Sequence, residues 1–331
     1  MELPTELAAA VERLVAEIPT RELSRATRGL SQRYRGGGET RQFVQSSADV
    51  ASYLAYRVPA TYAASFAAMS AAAHALPEWR PRSFLDVGAG PGTAAWAASA
   101  VWPEIEDLTL LERDERMIGV GKTLADEAGI DPLRKARWVE GDITQTSQPR
   151  SADLVVAAYA VGELQPDLLS EYIERLWDAA CGIFLLIEPG TPSGFARVRA
   201  ARTRLIELGG SVAAPCPYEG ECPMTGSNWC HFSQRVARSR LHRAVKSGSL
   251  SYEDEKFSYC AASRLPVPTR GNRVLRHPRV RPGRIDLELC TPAGLEHRVV
   301  TRHDARTWRE ARHLGWGDTL RDEEESSRDE P

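Results

Sequence analysis

The stretch Ser83-Phe-Leu-Asp-Val-Gly88-Ala-Gly-Pro-Gly-Thr93 decides the fold of this chain. A short apolar run comes first, a turn with three glycines follows, and the Ala- and Trp-rich segment up to Val101 has a helical pattern. Strand, glycine-rich loop and helix in this order form the first unit of an α/β nucleotide-binding sheet. Gly88, Gly90 and Gly92 let the backbone approach a ligand closely and direct amides at it from a helix N-terminus. The stretch therefore predicts a cofactor site.

The spacing of the glycines indicates which kind of cofactor binds. The dinucleotide fingerprint is G-x-G-x-x-G, whereas this chain has Asp86-x-Gly-x-Gly-x-Gly with a proline inside the loop. Glu112 ends the next apolar run, about 20 residues on, where a ribose diol needs a carboxylate acceptor. A nicotinamide-dependent enzyme is the alternative, and in the simplest interpretation Asp86 and Glu112 only cap turns.

This pattern resembles motif I of class I S-adenosylmethionine-dependent methyltransferases. The resemblance implies a Rossmann-like sheet in which the loop wraps the methionine part of the cofactor. It also implies that Asp142, in Val139-Glu-Gly-Asp142, lies near the adenine amino group. The cofactor-binding residues expected on this basis are Asp86, Gly88, Gly90, Gly92, Glu112 and Asp142.

Length and composition indicate an ordinary globular protein of about two domains, with 331 residues, 26% charged and 42% hydrophobic. Residues 322–331 carry six acids and one arginine, a net charge of -5, which leaves about +2 on the rest of the chain. The start holds Glu2, Glu6 and Glu12 without an apolar signal region, and we therefore expect a cytoplasmic protein. The long uncharged run after Arg57 is mostly alanine and serine, which favours a packed helix over a membrane span.

Hydrophobic periodicity predicts a helical N-terminal region and then alternating strands and helices. Four helices are expected in the first part, at 7–18, 21–34, 47–56 and 59–76. Five strands are expected at 83–87, 107–112, 136–140, 152–158 and 182–188. Helices are expected between them, at about 92–101, 115–128 and 166–180, and a basic helix at roughly 194–208.

The chain divides accordingly into five segments. We expect a helical region at 1–80, a cofactor-binding Rossmann-like core at 81–210, a cysteine-rich insertion with a basic helix at 211–260, strands that complete the sheet and metal site at 261–320, and an acidic disordered tail at 321–331.

The acceptor side of the cofactor is less well marked. Tyr159 and Glu163 follow the strand at 152–158, at the carboxyl edge where substrates of such sheets bind, and are candidate catalytic residues. Glu163 can equally start the next helix. No Asn/Asp-Pro-Pro-Tyr/Phe motif follows this strand, although methyltransferases that act on the amino groups of bases usually have one. The sequence does not demonstrate catalysis.

The cysteine-rich segment holds Cys216, Cys222 and Cys230 in a Pro- and Gly-rich loop. Such a loop is neither a helix nor a strand core, and three thiolates there favour a metal site. The fourth ligand can be His231, Cys260 or Cys290. From chemistry alone both zinc and an iron–sulfur cluster are open. Cys181, before the fifth strand, is expected in the core.

These motifs also resemble a more specific family. The three cysteines with Trp229, the segment 252–259 and Leu289-Cys290-Thr-Pro-Ala-Gly294 resemble the methyltransferase-like assembly factors of the mitochondrial small ribosomal subunit and their bacterial relatives. The resemblance covers about residues 40–320 and implies a four-iron, four-sulfur cluster on Cys216, Cys222, Cys230 and Cys290. Cys260 is then a buried strand residue.

Two arginine-rich runs flank this segment, at 231–246 and 264–284, and neither contains an acid. Unopposed arginines suit bidentate contacts with RNA phosphates. The RNA-binding candidates are Arg235, Arg238, Arg243, Arg273, Arg276 and Arg279.

The combined interpretation is a protein that binds S-adenosylmethionine and a 4Fe-4S cluster, contacts small-subunit ribosomal RNA and assists ribosome assembly. The second interpretation is an active methyltransferase of ribosomal RNA or a ribosomal protein. The third interpretation is a zinc-dependent methyltransferase of small molecules. We expect a monomer when the protein is free, and no membrane partner.

Overall fold

The computed structural model describes residues 1–36, 46–142, 144, 149–238, 251–268 and 271–321. Three helices open the chain, α1 Thr5–Ala16, α2 Thr20–Gly36 and α3 Ser47–Ala75. Ser46 caps α3, since its hydroxyl accepts the amide of Asp49 at 3.1 Å. The glycines after α2, Arg243 and the acidic tail from Asp322 lie outside the described residues. Within these ranges, no helix has the length and apolar character that crossing a membrane requires.

Helix α3 corrects one prediction. Two helices were expected on either side of Pro59, but α3 runs through Pro59 without ending. Proline inside a helix costs about 3 kcal/mol, because it removes a hydrogen bond and its ring clashes with the preceding turn. Ala60, Ala63 and Ala64 beside it are fully buried. We infer that close packing of α3 in the core offsets the cost of the proline.

Five parallel strands form the centre of the molecule, and they confirm the predicted alternation. They are β1 Ser83–Val87, β2 Asp107–Glu112, β3 Arg137–Glu140, β4 Ala152–Ala158 and β5 Ala180–Pro189, in the order β3-β2-β1-β4-β5. Helix α4 Thr93–Val101 follows β1, α5 Glu115–Ala128 and α6 Asp131–Arg134 follow β2, and α7 Leu169–Ala179 follows β4. Because helices cover both faces, β4 and β5 are nearly continuous apolar runs.

An antiparallel extension completes this sheet. Helix α8 Pro192–Glu207 follows β5, and then come β6 Ser211–Ala214, β7 Phe232–Ala237 and β8 Tyr252–Ser263. Strand β8 pairs with β5 along one side and with β6 and β7 along the other. The cysteine-rich loop leaves the sheet after β6 and returns to it in β7.

The remaining strands form a second sheet, whereas the prediction had residues 261–320 completing the first. They are β9 Asn272–Val274, β10 Arg279–Arg281, β11 Arg284–Thr291, β12 Gly294–Thr301 and β13 Thr319–Leu320, with α9 Ala305–Ala311 beside them. Val274, Ile285, Leu287 and Leu289 lie in a separate apolar core here. The boundary expected at residue 261 falls inside β8.

Cys181 is exposed, so its expected place in the core is wrong. Along β4 the partners of Ala152 and Leu154 are Ala180 and Ile183, which leaves one extra residue on β5. Such a bulge breaks the alternation of side chains between the two faces of a strand. Gly182, next to Cys181, is a sequence signal for this irregularity, because a glycine inside a strand often marks a bulge.

Candidate functional site

The glycine loop, residues 88–92, connects β1 to α4 at the carboxyl end of the parallel sheet. The strand order reverses between β1 and β4, which is where ligands bind in sheets of this kind. Gly88 has a φ of 73°, and a Cβ added there would lie 2.6 Å from the Cβ of Ala160. Only glycine fits this position without strain. The loop therefore has the close-approach backbone that a cofactor site needs.

Glu112, at the end of β2, holds this loop in place. Its Oε2 accepts the amide of Gly90 at 2.7 Å, and its Oε1 accepts the amides of Arg113 and Asp114 at 2.8 and 2.9 Å. An ionised carboxylate has about four lone-pair positions. One further donor, such as a sugar hydroxyl, can therefore still bind Glu112.

Asp142 lies next to Glu112, because the amide of Gly141 donates to the carbonyl of Glu112 at 3.0 Å. The carboxylate of Asp142 accepts the amide and the hydroxyl of Thr144 at 2.8 and 2.7 Å and pairs with Arg113 at 3.7 Å. Partial burial raises the pKa of Asp142, but these donors outweigh it, so the pKa is lowered overall. Asp142 is therefore an ionised acceptor near the end of β2.

Asp86 lies deeper, near the carboxyl end of β1, and is 1% exposed. Burial, together with the nearby charge of Glu112, raises the pKa of Asp86 to about 8. Its Oδ2 has no hydrogen-bond partner in the described part of the chain. A ligand that brings a positive charge or a donor would satisfy this oxygen.

The structure adds Glu188, which sequence analysis missed, at the carboxyl end of β5. It is fully buried, its Oε2 accepts Nε of Arg197 at 2.6 Å, and its Oε1 has no partner among the described residues. Burial raises the pKa of Glu188, although Arg197 opposes the shift. The hydroxyl of buried Tyr172 likewise has no partner there. An acid that ends an apolar run was the signal that identified Glu112, and it applies equally to Glu188.

Tyr159 lies at the carboxyl end of β4 with a φ of 58°, which is unusual for a residue other than glycine. Its hydroxyl donates to Oε1 of Glu255 at 2.9 Å, and the guanidinium of Arg57 lies 5.1 Å from the ring centre. Arg57 and Glu255 also form an ion pair at 3.7 Å. Burial and Glu255 raise the pKa of Tyr159 well above its usual value, so Tyr159 is not a base at neutral pH. The backbone of Glu163 lies in a 3-10 turn.

The second candidate site is a cavity of about 40 Å³ whose wall includes all four predicted cysteine ligands. Cys216, Cys222 and Cys230 come from the loop between β6 and β7, and Cys290 comes from inside β11 of the second sheet. Cys260 and His231, the alternative ligands, do not line it. Within the residues that the structure describes, no three His, Cys, Asp or Glu side chains converge closely enough for a single metal ion.

Burial governs the protonation of three of these thiols, those of Cys216, Cys230 and Cys290. It raises the pKa of Cys216, of Cys230 and of Cys290, the last to about 12, while Arg202 opposes the shift at Cys216. These three thiols are therefore protonated in the metal-free chain at neutral pH. Any metal group bound by these residues must displace protons from them.

The predicted RNA-binding arginines have different surroundings. Arg235 and Arg238 pair across the strands with Asp254 and Glu253 of β8, at 3.2 and 3.0 Å, so acids oppose them although their own run has none.

The other described candidates are Arg273 in β9, Arg279 in β10 and Arg276 between these two strands of the second sheet. Arg273 donates to the carbonyls of Pro215 and Gly317, and Arg276 donates to that of Leu275. Arg279 is 72% exposed and lies 3.9 Å from Glu288. Arg243 is outside the described residues.

A model of the family described as mitochondrial small ribosomal subunit Rsm22 matches residues 47–321. The human ribosome assembly protein METTL17, mitochondrial, is 29% identical over 288 residues, which cover 77% of this chain and 59% of that protein. The Rsm22-cox11 tandem protein 2, mitochondrial, of Schizosaccharomyces pombe is 23% identical over 291 residues, which cover 72% of this chain and 38% of that protein. The chain thus spans less than two thirds of the length of either relative.

Solved methyltransferase structures are similar at a lower level. A putative RNA methyltransferase from Pyrococcus horikoshii is 14% identical with a TM-score of 0.39, covering 60% of this chain and 81% of that one. Magnesium protoporphyrin IX methyltransferase of Synechocystis PCC 6803 is 15% identical with a TM-score of 0.41, covering 64% and 82%. At these scores the likeness adds nothing to the topology described above.

The predicted cytoplasmic location is wrong, because the matching family and both relatives are mitochondrial. The prediction rested on composition and on the acids near residue 1. Globular proteins of the cytoplasm and of mitochondria share such a composition, so it cannot distinguish the two compartments.

The raised pKa of Asp86 predicts a pH-dependent stability. The folded chain keeps the Asp86 proton up to about pH 8, whereas the unfolded chain releases it near 3.8. The contribution of Asp86 to the unfolding free energy is therefore complete below its pKa in the unfolded chain. It is lost as pH rises toward and through its pKa in the folded chain. Relative to Asp86→Asn, wild type should lose up to about 1.4 kcal/mol of unfolding free energy per pH unit in this window.

Urea unfolding of ligand-free wild type and Asp86→Asn at pH 5, 6, 7 and 8 measures this difference. Groups that titrate in both proteins cancel in the comparison. A stability difference that stays constant across these pH values would show that Asp86 is ionised in the folded chain.

Proposed function

The chain belongs to the Rsm22 family of the mitochondrial small ribosomal subunit, and on this premise we propose that it assists small-subunit assembly while binding S-adenosylmethionine, a 4Fe-4S cluster and ribosomal RNA. One observation carries the proposal. Four cysteines from two parts of the chain, 216–230 and 290, line a single cavity. Family membership supplies the ribosomal partner, and the glycine loop supplies the cofactor site.

The charges around the glycine loop suit S-adenosylmethionine. This cofactor carries a sulfonium and an ammonium group, and Asp86, Glu112 and Asp142 surround the loop with carboxyl groups. In this proposal Glu112 accepts the ribose hydroxyls, Asp142 lies near the adenine amino group, and Asp86 faces the methionine part. The unpartnered Oδ2 of Asp86 supports this assignment, because a buried polar atom is normally hydrogen-bonded.

The cysteine cavity suits an iron–sulfur cluster, because its donor set is four thiolates. Cys216, Cys222, Cys230 and Cys290 are the proposed ligands. Such a cluster supplies metal–thiolate bonds that join the cysteine loop to β11, and it provides a redox couple. The residues of the chain themselves hold the loop before the metal binds. Ser258 of β8, for example, donates to the carbonyl of Cys230 at 2.8 Å.

Ribosomal RNA is the proposed macromolecular partner. Arg279 of β10 is 72% exposed, and Val280 beside it is 65% exposed. The three residues of β10, Arg279–Arg281, are all exposed, and this strand therefore offers two arginines to a phosphate backbone. Arg235 and Arg238 are less suitable, because acids of β8 pair with them at 3.2 and 3.0 Å, whereas Glu288 lies 3.9 Å from Arg279.

An active methyltransferase is the second candidate, and the backbone of Tyr159 favours it. Strained residues concentrate at functional sites, and Tyr159 has a positive φ next to Ala160, which contacts the glycine loop. Methyl transfer needs alignment more than a base. The high pKa of Tyr159 is compatible with a residue that positions an acceptor and does not deprotonate it.

The cluster can be tested by ultraviolet–visible spectroscopy with iron, sulfide and zinc analysis on protein purified without oxygen. We expect broad visible absorbance with about four irons and four sulfides per chain. Cys222→Ser should lose most of both, because one thiolate ligand is gone. Cys181→Ser is the matched control, since Cys181 is exposed and outside the cavity, and it should retain them. Colourless wild type with one zinc per chain would contradict the cluster.

RNA binding can be tested by its salt dependence. Affinity for in vitro transcribed small-subunit ribosomal RNA should fall linearly on a logarithmic plot against salt. Arg279→Gln should reduce the slope by about 1, because one phosphate contact is lost. Arg82→Gln is the control, since this exposed arginine lies at the opposite, amino end of β1. An equal slope for wild type and Arg279→Gln would remove Arg279 from the interface.

The two candidate functions differ in one assay. With methyl-labelled S-adenosylmethionine and immature small subunits, an assembly factor should bind the cofactor without transferring label. Label that appears in ribosomal RNA or protein, and that disappears in Asp86→Ala, would establish the methyltransferase instead. Cofactor binding measured by calorimetry on the same preparations shows that the site was occupied.

A further inference from the structure

Arg202 of α8 is a buried arginine on the wall of the cysteine cavity, with 5% of its surface exposed. A guanidinium keeps its proton under all ordinary conditions. In the described part of the chain, no carboxylate forms an ion pair with Arg202, and the groups it contacts belong to the cysteine loop. A buried cation without a counter-charge is costly. The cavity contents are the natural source of that negative charge.

The contacts of Arg202 are directional. Its Nε donates to Sγ of Cys216 at 3.2 Å. Its Nη2 donates to the carbonyls of Tyr218 and Gly220 at 2.8 and 2.9 Å. The guanidinium is a rigid planar fork, so its three contacts fix the sulfur of Cys216 relative to the turn that follows it. Lysine, with a single nitrogen, cannot reproduce this geometry.

Arg199, one turn earlier on α8, provides an internal comparison. It also lines the cavity, but it donates to the carbonyl of Met224 at 3.2 Å, and among the described residues no hydrogen bond joins it to a sulfur. The two arginines therefore share a helix face and a cavity wall. Only Arg202 combines a buried charge with a hydrogen bond to a cysteine.

We propose that Arg202 is a positioning residue for the cluster, which orients the Cys216 sulfur and offsets the negative charge of the metal–thiolate group. The proposal rests on the proposed function, because it takes the cavity to hold a 4Fe-4S cluster. Hydrogen bonds to sulfur and local charge are the two properties through which a protein tunes such a group. Removal of Arg202 therefore takes away both the hydrogen bond to Cys216 and the positive charge beside it.

The test compares wild type with Arg202→Met, Arg202→Lys and Arg199→Met, all purified without oxygen. Arg202→Met should retain fewer irons per chain, and its remaining cluster should have a more negative midpoint potential, because the more negatively charged reduced state has lost a cation and a hydrogen bond. Arg202→Lys should fall between wild type and Arg202→Met. Arg199→Met also removes a cavity charge but no hydrogen bond to sulfur, so it should lower iron content and potential less than Arg202→Met does.

A second readout uses the metal-free protein. Amide hydrogen exchange at residues 216–221 should be faster in Arg202→Met than in wild type and Arg199→Met, since the carbonyls of Tyr218 and Gly220 lose their donor. Circular dichroism and thermal unfolding establish that each variant is folded. If Arg202→Met does not fold, Arg202→Lys must still shift the potential and speed the exchange.

The outcomes separate the two proposals. If wild type binds no cluster, the proposed function is wrong, and a role for Arg202 toward that cluster is overturned with it. If wild type binds the cluster while Arg202→Met keeps the same iron content, potential and exchange rates, the inference about Arg202 alone is overturned.

Discussion

The pairing of β8 with β5 is the interaction on which both candidate sites depend. It runs from Ile183↔Ser263 to Pro189↔Phe257 and places a late part of the chain against the carboxyl end of the parallel sheet. Through it Glu255 reaches the hydroxyl of Tyr159, and Ser258 reaches the carbonyl of Cys230. The glycine-loop site and the cysteine cavity are thus both attached to this pair of strands. A change in the register of β8 would disturb both.

The two sites have opposite electrostatic characters. Carboxyl groups surround the glycine loop, and burial makes one of them, Asp86, reluctant to ionise without a cationic ligand. At the cysteine cavity, burial likewise disfavours the thiolates, but arginines lie behind them, with Arg202 in direct contact with Cys216. The first arrangement suits a positively charged cofactor and the second a negatively charged metal group. Burial disfavours the ionised acids at both sites, and the arginines of the cysteine cavity account for the difference in the charge that each site suits.

The sequence predictions were correct where a local pattern of residues specifies the secondary structure without help from distant segments. Strands β1, β2 and β4 have the predicted bounds, because each is a short apolar run between turn-forming residues. The predictions failed where distant segments decide. Helix α3 continues through Pro59 because the surrounding core packs closely against the helix. Cys181 is exposed because β5 has a bulge where it pairs with β4. Acids oppose Arg235 and Arg238 because β7 pairs with β8, although no acid lies near them in sequence.

The amino-acid sequence by itself determined the alternation of the parallel sheet units, the glycine loop and the three cysteines of the cysteine-rich loop, because each depends on the spacing of neighbouring residues. Only the tertiary structure decided which residues meet. Cys290 joins the cysteine loop across 59 or more intervening residues, while Cys260 and His231 do not line that cavity. It also decided three hydrogen bonds: from Arg273 to the carbonyl of Pro215, from Tyr159 to Glu255, and from Arg202 to the sulfur of Cys216. Such contacts follow from strand pairing and helix packing, which bring together groups that no short sequence pattern can relate.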